Sequence, residues 1–341
     1  MFPDIKLKIF YFLLIVLAVS CIDDQGESGF GLTYPGYFPT PHYQSAKNPI
    51  TKDGFLLGRA LFFDPILSID STISCETCHS QGHAFADHNT RLSAGIHNLR
   101  GTRNSPAMFN LAWQTSFMWD GGINHIEVMP LAPITNEVEM GETLENVIKK
   151  LNNSQNYRLK FRNVFGEKPI DSQKLFYALA QYMSMLVSSD SKYDKYRLGK
   201  TSLNTEELEG LSTFRLKCAS CHPEPLFTDY SFRNTGLEVL NDDIGHGRIS
   251  LLKADEYKYK VPSLRNVALT YPYMQDGRFS TLSDVLNHYS DHAIMSEQID
   301  PLLISSGKAG ISLSVDEKKS IIAFLNTLTD YTFISNPLYS E

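Results

Sequence analysis

Two pentapeptides of identical spacing constrain this chain more than anything else in it: Cys75-Glu76-Thr77-Cys78-His79 and Cys218-Ala219-Ser220-Cys221-His222. In C-x-x-C-H, two thiols one helical turn apart add across the two vinyl groups of one porphyrin, and the adjacent imidazole reaches the iron from below. Cys75, Cys78, Cys218 and Cys221 are therefore read as thioether anchors, and His79 and His222 as proximal iron ligands. Half a zinc site would need a second ligand pair nearby, and these pairs lie far apart in the chain. A redox dithiol has no use for the histidine that both copies carry. The expectation is a protein built around two covalent c-type haems.

The remaining pattern is helical. Leu56, Leu57, Ala60, Leu61 and Phe62 form a short apolar stripe ahead of the first motif. Thr143 to Leu151 reads as a short helix, and Leu175, Phe176, Leu179, Tyr182, Met183 and Leu186 mark one face of a longer one. Gly199 to Asn204 is a turn, and Asn204 with Glu207 opens the helix that delivers Cys218. Thr281 to Tyr289 is another short helix. Ser314 with Glu317 caps the last one, whose buried face is Ile321, Ile322, Leu325 and Leu328. No run alternates as a strand would, and residues 80–140 are loop-rich. Each half repeats a helix, the C-x-x-C-H motif and a Phe-x-Asp, at Phe85 to Asp87 and Phe227 to Asp229. The fold class expected is mainly α with long loops: two tandem cytochrome c-like domains, over 51–167 and 168–335, each with one haem.

The cysteine count and the amino terminus bear on location. Of five cysteines, four belong to the motifs and Cys21 is left over. Residues 6–20 run from lysines through an apolar stretch to small residues, a signal-peptide pattern too short for a comfortable membrane span. Leu17-Ala18-Val19-Ser20-Cys21 resembles a lipobox with Ala18 where leucine is usual, which makes residues 1–21 a lipoprotein signal and Cys21 a lipid anchor. Ordinary cleavage near Ser20 is the alternative. Either way the chain is exported, to the periplasm, where covalent haem is attached in bacteria. Residues 22–50, rich in Gly, Pro and Tyr, read as a tether. A net charge of −7 argues against a nucleic-acid partner and suits a basic redox partner.

Several longer stretches carry a family resemblance: LGRALFFDPILS (57–68), ISCETCH (73–79), RNSP (103–106), MWDGG (118–122), EVEMG (137–141), CASCH (218–222), VPSLRNVALTYPYMQDGRFSTL (261–282) and AFLNTLT (323–329). On these the chain resembles the bacterial di-haem cytochrome c peroxidases, the class that includes MauG. The resemblance implies a peroxide-reactive N-terminal haem and an electron-transfer C-terminal haem. Hydrogen peroxide, two electrons and two protons give two waters, and the electrons come from a small redox protein, a cytochrome c or a cupredoxin.

The resemblance also implies roles. Glu139 matches the catalytic glutamate, which moves a proton from the near to the departing oxygen of peroxide; Glu137 and Glu142 are its near neighbours. Trp119 matches the tryptophan that bridges the two haems. Asn104, Thr270 and Pro272 match a calcium site at the domain junction, where carbonyl oxygens suit a hard cation. His97 lies one residue from the position of a distal histidine on the first haem; it is either that ligand or a plain loop histidine, with His83 and His88 as weaker candidates. Met129 stands where the family often has glutamine. Tyr289 falls where methionine ligates the second haem in many members and tyrosine does in MauG-like ones, with Met274 and Met295 as alternatives. A tyrosinate would lower the iron potential where methionine raises it. Three functions follow: a peroxidase; a MauG-like enzyme that uses peroxide to oxidise a protein side chain; and a non-catalytic di-haem electron carrier, which would have no use for Glu139. The oligomeric state, a homodimer included, stays open.

Overall fold

Helix α1 (Lys52–Phe63) begins at Thr51, whose hydroxyl accepts the Gly54 N–H at 3.0 Å, and turns Phe55, Leu57, Leu61 and Phe62 inward. After it come α2 (Cys75–Cys78), which is the first cysteine pair itself, α3 (Leu131–Thr135), α4 (Leu144–Asn153), α5 (Gln155–Phe165) and α6 (Ser172–Ser184). The chain continues through α7 (Lys192–Arg197), α8 (Thr205–Lys217), α9 (Gly247–Ser250), α10 (Leu282–Asn287), α11 (Val315–Asn326) and α12 (Tyr331–Ile334). This computed structural model describes residues 30–44, 46–87 and 90–341. Residues 31–341 form one compact unit. Strand is confined, among the described residues, to two antiparallel pairs: β1 (Phe232–Arg233) with β2 (Tyr259–Lys260), and β3 (Ile304–Ser305) with β4 (Lys308–Ala309).

Two helix pairs form the frame, one beside each cysteine motif. α1 packs on α6, and α8 packs on α11. Each crossing is closed by a glycine: a Cβ on Gly58 would come to 2.0 Å from the Ala178 carbonyl, and one on Gly210 to 1.9 Å from that of Ser320. Only hydrogen fits there, so the backbones approach closely and the rows of apolar side chains interdigitate. The capping residues act where the sequence puts them. Asn204 and Glu207 form a capping box on α8, Ser314 and Glu317 on α11, and Thr281 and Asp284 on α10. α10 then widens into a single π-helical turn, His288–His292, which carries Tyr289.

Two segments that the sequence places in the C-terminal half return to the first motif. One is α6 itself. The other is the chain end: Phe333 of α12 meets Phe85 at 5.6 Å and Phe109 at 6.1 Å between ring centroids, and Gln81 Nε2 donates to the Phe333 and Asn336 carbonyls at 3.1 and 2.9 Å. The lead-in also differs from a tether from residue 31 onward, because it carries apolar rings with somewhere to go. Phe38 packs with Ala112, Trp113 and Leu226; Trp113 Nε1 donates to the Pro39 carbonyl at 2.7 Å, and Tyr37 Oη to Asp194 at 2.6 Å. The readings on residues 1–21, Cys21 included, fall outside the described residues, as does His88.

Candidate functional site

The Phe-x-Asp repeat explains how each motif histidine is held. Phe85 and Phe227 both sit at positive φ (58° and 56°), which turns their carbonyls back on the motif. His79 Nδ1 lies 2.9 Å from the Phe85 carbonyl and His222 Nδ1 3.0 Å from that of Phe227. A carbonyl only accepts, so the Nδ1 carries the proton and Nε2 keeps the lone pair that a metal takes. Both residues are half-buried, and desolvation lowers the pKa of their rings, with backbone hydrogen bonds to Phe85 and Pro106, or Phe227 and Pro262, opposing. Neutral imidazole is the ligating form. Desolvation raises the pKa of the motif thiols, Cys75 and Cys218 up to about 12 and Cys78 to about 11.

Both motifs open into one continuous cavity of about 1120 Å³. Pockets for single drug-sized ligands run to roughly 300–1,000 Å³, so there is room for more than one large planar group. On the first side the cavity is walled by Phe109, Leu111, Leu179 and Met183, and on the second by Phe214, Leu264, Leu286 and Ile321. Apolar walls, paired thiols and an imidazole with a free Nε2 on each side are the donor set and shape that a covalent haem requires. The residues fit two such groups.

Glu139 lines the first side of this cavity. Its Oε1 accepts Asn136 Nδ2 at 2.7 Å. The side chain is open toward the cavity, while surrounding protein desolvates it and raises its pKa above the ordinary glutamate range; the Asn136 bond opposes. Its backbone is held by the neighbouring loop, where Ile96 N–H donates to the Glu139 carbonyl at 2.8 Å. Gly95 makes that contact possible, since a Cβ there would meet the Val138 and Glu139 carbonyl oxygens at 2.2 and 2.4 Å. Gly95→Ala is therefore expected to push Glu139 off the cavity wall. It should cost about 1–3 kcal/mol of stability by overpacking, and peroxide turnover should fall further than that loss explains, measured on protein still folded at the assay temperature.

Comparison with known proteins agrees with this geometry. The family model described as di-haem cytochrome c peroxidase matches residues 52–202. The methylamine utilization protein MauG of Methylorubrum extorquens is 36% identical over 84% of this chain and 81% of its own. The chain belongs to the di-haem cytochrome c peroxidase family. It is also similar to the cytochrome c551 peroxidase of Pseudomonas aeruginosa, at 32% identity over 82% of this chain and 80% of that one. Among solved structures, a MauG-like protein associated with microbial copper homeostasis superposes with a TM-score of 0.82 at 29% identity, over 91% of this chain and 99% of that one.

Within this di-haem family frame the other expected residues separate clearly. Trp119 lines the cavity between the motifs and donates Nε1–H to the Asn104 carbonyl at 2.8 Å. Asn104, Thr270 and Pro272 line it too. Tyr289 borders it beside Cys218 and Cys221, whose proximity, after burial, raises the phenol pKa. Met129 and Met274 are on the wall as well. Met295 is 48% exposed and not on the wall, and neither is His97, which is exposed in a left-handed turn (φ 54°) near Asp70. His83 is off the wall. The neighbours of Glu139 have other places: Glu137 is exposed, and Glu142 is buried on Lys150 at 2.6 Å and the Thr143 N–H at 2.8 Å, tying α4 to its lead-in.

Sequence reasoning missed a charged cluster at the cavity edge. Arg103 donates to Asp120 at 2.8 Å and, through two bonds of 2.7 Å, to Asp243, and Arg248 also reaches Asp120. Arg103 and Asp120 lie inside the RNSP and MWDGG stretches, which was the available signal. Their partners come from residues far along the chain, which no spacing reveals.

Proposed function

We propose that this chain is a di-haem peroxidase that reduces hydrogen peroxide to water with electrons from a small redox protein. The observation that carries the reading is the shared cavity, with a C-x-x-C-H motif on each side and Glu139 on the wall of the first. Bound haem iron supplies the redox chemistry and the coordination site for peroxide. The chain's own residues do the rest. Glu139 takes the proton from the near peroxide oxygen and returns it to the far one, so that water leaves rather than hydroxide. Asn136 holds the carboxyl in place. Trp119, fixed by Asn104 and by Lys260 N–H donating to its carbonyl at 2.8 Å, stands where an indole shortens the path between the two haems. The test is stoichiometry: two equivalents of reduced cytochrome c or cupredoxin oxidised per peroxide consumed. Peroxide-independent oxidation of the donor, with no turnover of peroxide, would leave only an electron carrier.

A second reading has its own support. Tyr289 at the second motif favours a MauG-like haem pair that reacts in the diferric state and oxidises a protein side chain. Tyr289→Phe is expected to change the visible and electron paramagnetic resonance spectra of the second haem, and Met274→Leu to leave them as they are. The reverse result would assign methionine as the ligand and return the chain to the pre-reduced type. A calcium ion at the junction would be held by the Asn104 side-chain oxygen and the carbonyls of Thr270 and Pro272, hard donors suited to it. Two cytochrome c-like lobes, attachment of the haems through Cys75, Cys78, Cys218 and Cys221, export to the periplasm and a lipid anchor at Cys21 complete the proposal; intact-mass analysis of the exported protein reads the haem and acyl additions together.

A further inference from the structure

The cations that border the cavity are not equivalent. Arg103 and Arg248 are held by Asp120 and Asp243, Lys217 by Glu317 at 2.6 Å, and Arg233 by Asp229 and Asp300 at 2.9 and 2.8 Å. Arg100 is exposed and donates to the Leu92 carbonyl. Lys260 differs from all of these. Its Nζ donates to Gln114 Oε1 and to the Ser116 carbonyl, both at 2.7 Å, and lies 5.8 Å from the Phe117 ring centroid. Every one of these partners is neutral, and among the described residues Lys260 has no carboxylate in salt-bridge range. The carboxylate that acts on it electrostatically, Asp120, is already committed to Arg103 and Arg248.

A half-buried ammonium with only neutral partners is costly, and desolvation pushes this one down to about 7. Yet Lys260, Gln114, Phe117 and Trp119 all line the cavity. Its expected occupants are flat apolar rings that each bear two carboxylates. We propose that the ammonium of Lys260 is the counter-ion of a haem propionate at the junction of the two motifs. The third N–H of the amine is directed to that carboxylate, while Gln114 and Ser116 orient it. The backbone N–H of the same residue fixes Trp119, so a single residue sets the charge beside both a haem edge and the bridging indole. The proposal rests on the reading of the cavity as a two-haem site.

A cation beside the porphyrin disfavours the ferric state, so its loss lowers the midpoint potential. In spectroelectrochemical titration of the holoprotein, Lys260→Met is expected to shift the ferrous-to-ferric equilibrium of one haem about tenfold, equal to about 59 mV for a one-electron couple. Lys260→Gln should do the same and serves if the methionine variant does not accumulate. Lys260→Arg should stay near wild type. The propionate bending band in resonance Raman spectra should move in the first two variants and not in the third. Unchanged potentials in Lys260→Met, or a shift in Lys260→Arg as large as in Lys260→Met, would overturn the assignment, the latter by showing that packing and not charge is at stake. Potentials are read without turnover. The expected shifts in a protein that does not consume peroxide would keep this proposal and reject the peroxidase reading, whereas a protein without tetrapyrrole mass would remove both.

Discussion

Glu139→Gln is expected to slow peroxide turnover by about 10²–10⁴-fold, the range a positioned acid–base group contributes, with both haem spectra unchanged. Glutamine keeps the shape of the side chain and its carbonyl still accepts from Asn136 Nδ2, but it cannot shuttle a proton. The pH profile adds a sign. The deprotonated carboxylate is the form that receives the peroxide proton, and desolvation raises its pKa. The acidic limb of kcat/KM should therefore lie above the ordinary glutamate range, with activity lost as pH falls through it, and this limb should vanish from the residual activity of the variant. Steady-state peroxide consumption across pH tests both statements. Turnover unaffected by the substitution would remove Glu139 from the mechanism and with it the case for an enzyme over a carrier.

Asp194→Ala is expected to cost about 3–5 kcal/mol, the usual result of stranding one member of a buried ion pair. Asp194 and Arg265 are both fully buried and joined by two hydrogen bonds of 2.8 Å. The pair is surrounded: Tyr37 and Ser191 donate to Asp194, and the guanidinium lies 4.8 Å from the Phe38 ring centroid and 5.8 Å from that of Phe227. Arg265 Nε also holds the Pro225 carbonyl at 3.0 Å, within the loop that turns Phe227 toward His222. Removing Asp194 thus leaves an uncompensated cation under the second proximal loop. Chemical denaturation should show the loss, and replacing both members by apolar residues of similar volume should recover much of it. Burial alone would raise the Asp194 pKa, but Arg265 and the hydroxyl donors prevail and hold it low. Its stabilising contribution is accordingly full at neutral pH and is lost only on acidification below the ordinary aspartate range.

How far the sequence could be read differs from element to element. The capping pairs Asn204–Glu207, Thr281–Asp284 and Ser314–Glu317 are local chemistry, with donor and acceptor three residues apart, and the helices start where they stand. Apolar spacing located α1, α6 and α11, though Phe55 turns inward with them and Leu56 and Ala60 are only half-buried. The lead-in was harder, because Gly, Pro and Tyr without periodicity look the same in a linker and in a strap that docks its rings. The destination of Phe38 and Tyr37 is set by Trp113, Asp194 and Arg265, remote in sequence. His97, one residue from the position of a distal histidine and equally readable as a plain loop histidine, stands exposed in a left-handed turn that no local pattern announces.

By itself the sequence determined the chemistry on offer: two thiol pairs, two imidazoles and a glutamate in a recognisable setting. Those are covalent facts and short spacings, and they do not depend on how distant segments meet. Only the tertiary structure decided which groups share the cavity. It put Glu139, Trp119 and Tyr289 on the wall and left His97 and Met295 off it, took Glu142 for a salt bridge with Lys150, and gave Lys260 the neutral partners Gln114 and Ser116. Those outcomes depend on where backbones cross, at Gly58, Gly95 and Gly210 among other places, and on which charges burial forces together.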